Sequence, residues 1–109
     1  MILKVESQED LVKVGRALAN PLRVRMLLML TMEPTFIQDI AQRLRVPYAL
    51  AHMHLKILEE AGLIEGSYIV EEKPRPHLRK VYKVRDFRLL IDKNLLLELS
   101  QRSGSHTDQ

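Results

Sequence analysis

Apolar residues recur at helical spacing as far as Leu58, and after Leu63 the chain turns to the Ile-, Val- and Tyr-rich runs typical of strands. That switch confines the fold to a helical body followed by a small hairpin. At 109 residues the two parts belong to one domain. Ser7 is placed to cap a first helix, with Asp10 three residues on and Leu11, Val14 and Leu18 along one side. Asn20 and Pro21 start a second, since proline at the first helical position gives up only an amide that would be unpaired anyway. Leu22, Met26, Leu27 and Leu30 form its stripe, and Glu33-Pro34 ends it. Thr35 is expected to cap a short third helix with Phe36, Ile37, Ile40, Ala41 and Leu44 as its apolar side. After a tight Arg45-Val46 connection, Pro47 opens a fourth, with Ala51, Leu55 and Leu58 inward. Gly62 suits the left-handed residue that closes it.

Two strands, Ile64–Val70 and Arg79–Val84, are expected around a tip with two prolines. Asp86 then caps a last helix from Phe87 to Gln101, in which seven of the eleven residues from Leu89 to Leu99 are Leu or Ile. One buried stripe needs only three or four apolar residues per two turns, so the excess points to a second copy of the chain. Residues 1–102 are expected to form the domain, and Ser103–Gln109 a disordered polar tail. The expected fold class is mainly α with a small β-hairpin (α+β).

The net charge of +3 is uninformative until it is resolved by position. Between Lys73 and Arg88 stand seven basic residues and one acid, while the rest of the chain holds 10 basic and 13 acidic residues. A second acid-free stretch, Ile40 to Leu58, contains Arg43, Arg45 and Lys56. Local positive charge on an otherwise mildly acidic chain fits a polyanion. The absence of cysteine removes disulfides, thiol catalysis and Cys-ligated metals. No run approaches the roughly 20 apolar residues of a membrane span. The first residues do not read as a signal peptide, so a cytoplasmic protein without membrane contact is expected, nucleoid-associated if prokaryotic.

Two short helices joined by a tight turn and followed by a basic hairpin describe a winged helix-turn-helix. Ala19-Asn20-Pro21-Leu22-Arg23-Val24-Arg25-Met26-Leu27 resembles the second helix of ArsR-type regulators. Asp39 to Leu44 and His54 to Ile64 resemble their helix-turn-helix, and Arg79-Lys80-Val81-Tyr82-Lys83-Val84 is similar to the returning wing strand. The resemblance implies a homodimer on near-palindromic double-stranded DNA, acting as a repressor. Its dimer contacts would come from the first and last helices: Leu11, Val14, Leu89, Leu95, Leu96 and Leu99. The fourth helix would enter the major groove, presenting Tyr48, Ala49, His52, Met53 and Lys56, with Arg45 in the turn. Lys73, Arg75, His77, Arg79 and Lys80 would be the wing contacts.

This reading face departs from the family's usual pattern, lacking the Arg, Asn and Gln best suited to bidentate base contacts. Backbone contacts and DNA shape are therefore expected to dominate. Met53 could meet DNA or another protein equally well. Two alternatives remain: a winged-helix module for an unknown protein partner, and a weakly specific architectural nucleic-acid binder. No metal or cofactor is expected: His52 and His54 lie about 200° apart around a helix, and the family's Cys sensor ligands are absent. No phosphate-cradling glycine loop or nucleophile set suggests an enzyme.

Overall fold

The computed structural model describes residues 3–107, with side chains for 3–102. The order is α1 (Gln8–Leu18), α2 (Pro21–Met32), β1 (Thr35–Phe36), α3 (Ile37–Leu44), α4 (Tyr48–Glu60), β2 (Ile64–Glu71), β3 (His77–Val84) and α5 (Lys93–Thr107). Locally encoded starts form as expected. The Ser7 hydroxyl accepts from the Asp10 amide at 3.0 Å, and Asn20 Oδ1 accepts from the amides of Leu22 and Arg23. At the end of α4, Gly62 takes φ +82°, and its amide and that of Leu63 return to the carbonyls of Glu59 and Leu58. The turn from α3 to α4 reverses through Arg45, a non-glycine residue at φ 57°, a conformation that costs about 1 kcal/mol.

Three expectations are corrected. Thr35 does not cap α3: it is buried in β1 opposite Tyr82, its hydroxyl donates to the Glu33 carbonyl, and α3 starts after Phe36 without a side-chain cap. The last helix does not begin at Asp86. Residues 87–92 are non-helical, Phe87 and Leu89 pack on the core, and Asp92 Oδ1 accepts from the Leu95 amide to start α5. The backbone of α5 runs to Thr107, through five positions of the expected tail, and residues 108–109 lie outside those described.

The hairpin extends one residue further on β2 and two on β3 than expected, pairing Ile64 with Val84 through to Glu71 with His77. β1 adds to the far side of β3, giving an antiparallel sheet of order β1-β3-β2. Met26, Leu30, Ile37, Ile40, Leu55, Leu58, Leu63 and Ile64 fill the core between the helices and the base of the sheet, with Tyr82 as its largest fully buried side chain. The molecule is elongated, 61 × 26 × 24 Å with a radius of gyration of 17.1 Å, against about 13 Å for a compact domain of this length.

Candidate nucleic-acid interface

Helix α4 divides cleanly by side. Ala51, His54, Leu55 and Leu58 are buried, while Tyr48, Ala49, His52, Met53 and Lys56 are exposed together with Arg45 in the preceding turn. Tyr48 and His52, one turn apart, stack with ring centroids 6.5 Å apart and planes 14° from parallel. The six helix and turn residues singled out from the sequence thus lie on one accessible surface.

The wing stands against the start of that surface. Strand alternation puts Leu78, Lys80 and Tyr82 of β3 on the same side as their partners Val70, Tyr68 and Gly66 of β2. Together with Tyr48, His52 and Gln38, several of these side chains line a cleft of about 120 Å³ between α4 and the wing. Lys80 holds its ammonium 4.9 Å from the ring centre of Tyr68 and 5.5 Å from that of Tyr82. Attraction to two ring faces restrains an otherwise mobile cation. Gly66 makes this possible: a Cβ there would come within 2.7 Å of Lys80 Cε and 2.8 Å of the Tyr82 ring. Burial, with Glu59, Tyr48 and Tyr68 nearby, pushes the Tyr82 hydroxyl up to about 12, so it remains protonated. The Glu59 carboxylate also accepts from the Gly66 amide at 3.3 Å, tying the end of α4 to the wing base.

The five wing residues do not form one set. Lys73, Arg75 and His77 are exposed around the tip, where the His77 Nδ1–H donates to the Arg75 carbonyl at 2.7 Å. Arg79 points to the opposite side of the strand from Lys80. Its guanidinium donates to Glu71 at 3.1 Å and covers the Phe36 ring at 3.6 Å, so it is engaged within the wing. The two arginines should therefore separate. Arg75→Ala is expected to weaken duplex binding and lower its salt slope by about one phosphate per subunit. Arg79→Ala should leave the slope in place and loosen the wing by about 1 kcal/mol, since a partly exposed ion pair contributes little. Fluorescence titrations across salt concentrations distinguish the two, and a reversed ranking would contradict this placement.

A Helix-turn-helix domain model matches residues 18–67. An uncharacterized HTH-type transcriptional regulator of Methanocaldococcus jannaschii is 33% identical over 90 residues, covering 83% of this chain and 92% of that protein. The chain belongs to the HTH-type transcriptional regulators. The HTH-type transcriptional repressor SmtB of Mycobacterium tuberculosis is 39% identical over 51 residues, 47% of this chain and 38% of its own length. Among solved structures, a homodimeric winged helix-turn-helix DNA-binding domain of Mycobacterium bovis, a possible ArsR-family regulator, superposes with a TM-score of 0.59 at 22% identity. It covers 98% of this chain and 94% of that one, which establishes the shared fold.

In this transcriptional regulator the residues that sequence reasoning missed are Gln38, Gly66 and Tyr68. Tyr82 is 1% exposed, but Tyr68 is 64% exposed at the cleft, and its cross-strand pairing with Lys80 was the available signal. Among the described residues no three His, Asp or Glu side chains gather closely enough to hold a metal ion, and no helix is long and apolar enough to cross a membrane.

Proposed function

We propose that this transcriptional regulator is a homodimeric repressor that binds near-palindromic duplex DNA. The observation that carries the proposal is the convergence of the exposed side of α4 and the inner side of the wing on one cleft, with Lys80 restrained inside it. Arg45, Tyr48, Ala49, His52, Met53 and Lys56 would face the major groove. The tip residues Lys73, Arg75 and His77 would follow the backbone, and Lys80 would meet a phosphate at the junction. Few of these groups can make bidentate base contacts, so phosphate contacts and DNA shape would supply most of the affinity.

The dimer surface is narrower than the six residues proposed from the sequence. Val14 and Leu99 are already buried within one chain, Leu89 packs on the core, and Leu11 and Leu95 are half-buried. Leu96 and Leu97, 52% and 51% exposed, leave apolar surface on α5, joined by Leu90 and Ile91 just before it. Support for a second copy comes from this surface, from the elongated single chain and from the homodimeric domain of Mycobacterium bovis.

Titration of labelled duplex at low and moderate salt tests the proposal. With 6–10 phosphates neutralised per dimer, affinity should fall roughly 10³- to 10⁵-fold between 50 and 200 mM salt. Absence of binding at the lower concentration would refute it. Capture of a protein by the Tyr48–Met53 surface in its place would establish the interaction-module alternative.

A further inference from the structure

Arg23, in the first turn of α2, is 7% exposed, and its guanidinium ties α2 to two other helices. Nε donates to the Ala17 carbonyl at 3.0 Å and Nη2 to the Arg16 carbonyl at 2.8 Å, both in the last turn of α1; the Arg16 carbonyl also accepts from the Ala19 amide at 3.3 Å. Nη1 lies 2.8 Å from Nδ1 of His54, on the buried side of α4. Arginine can only donate, so Nδ1 must present its lone pair and the ring must be neutral with its proton on Nε2.

A second proton on His54 would set two cations 2.8 Å apart in a buried position. The charged group facing the ring is Arg23 of α2, with Arg16 of α1 acting on Arg23 in turn. Among the described residues no charged group of α3 or the wing is coupled to His54. Burial and then the Arg23 charge hold His54 below the ordinary imidazole range. The stability of the neutral arrangement is therefore complete above about pH 6.5 and is lost as pH falls toward the depressed folded value.

We infer that Arg23 and His54 form a positioning pair, which fixes the DNA-reading helix α4 against α1 and α2 only while His54 is neutral, so that acid weakens DNA binding. The inference rests on the DNA-binding reading above.

Duplex affinity is to be measured for the full chain and for His54→Asn and His54→Leu from about pH 8 down to about pH 5.5. Asparagine offers an acceptor close to the position of Nδ1 but cannot take a proton, and leucine offers none. Taking the ratio of wild-type to His54→Asn affinity cancels every pH effect that the two proteins share. That ratio should fall by up to about tenfold per pH unit once His54 titrates. His54→Asn should retain binding near pH 8, and His54→Leu should be weaker throughout. A ratio that stays flat through the pH at which ring-nitrogen NMR shows His54 taking up its second proton, or equal binding by the two variants, would overturn the inference.

Ring-nitrogen NMR of the wild-type protein provides a measurement that does not depend on the variants folding. An Nε2–H tautomer titrating below the usual imidazole range supports the pair, and an Nδ1–H tautomer or ordinary titration overturns it. Should the wild-type chain bind no duplex near pH 8, the DNA-binding reading fails, and the ring measurement still decides the state of the Arg23–His54 contact.

Discussion

Tyr82→Ala is expected to destabilise the protein by about 3–5 kcal/mol, the range for removing a large aromatic side chain from a core. Domains of this size have only about 5–15 kcal/mol of stability, so this is a large share of the total. The magnitude follows from position: Tyr82 is the largest fully buried side chain, its backbone pairs with β1 on one side and β2 on the other, and its ring lies beneath Lys80. Thermal unfolding followed by circular dichroism should show a fall in Tm of more than about 10 °C. Duplex binding should weaken even below the new midpoint, because Lys80 loses one of the rings that restrain it. A change of only a few degrees would show that the helical body folds independently of the sheet.

The second large effect concerns assembly. With Leu96→Glu and Leu97→Glu combined, two adjacent half-exposed leucines of α5 become charged, and desolvating those carboxylates in an apolar interface would be prohibitive. Light scattering should then report the 12.7 kDa of a single chain and not twice that mass. Both leucines project from the body, so helix content and Tm of the monomer should change little. DNA affinity should fall by roughly 10²- to 10⁴-fold, since each half-site then binds without the effective concentration supplied by a tethered neighbour. An unchanged mass would move the interface away from α5.

What the sequence disclosed divides along the range of the interactions involved. The caps at Ser7, Asn20 and Gly62 and the buried positions of α4 are set by residues within a turn of one another, and they could be read directly. Thr35 could not: a hydroxyl residue before an apolar run has the composition of a cap, but pairing with Tyr82, 47 positions away, takes it into a strand. The start of α5 is a similar competition. Asp86 and Asp92 have the same capping chemistry, and the chain between them stays non-helical while Phe87 and Leu89 pack on the core. In the wing, composition located the positive charge correctly but could not distinguish Arg79 from Lys80. Neighbouring strand residues face opposite ways, so the Arg79 guanidinium is held by Glu71 and Phe36 at the edge of the cleft, while the Lys80 ammonium lies over Tyr68 and Tyr82. The Arg23–His54 contact joins positions 31 residues apart and left no local trace.

Gly66 has an evolutionary consequence. Its missing side chain is volume already occupied by Lys80 and Tyr82, so the three positions share one allotment of space. A lineage that acquires a bulky residue at 66 must shorten or redirect 80 and 82 in compensation. Substitutions at these sites are therefore expected to occur together, and a family alignment should register the base of this cleft as correlated change across paired strands.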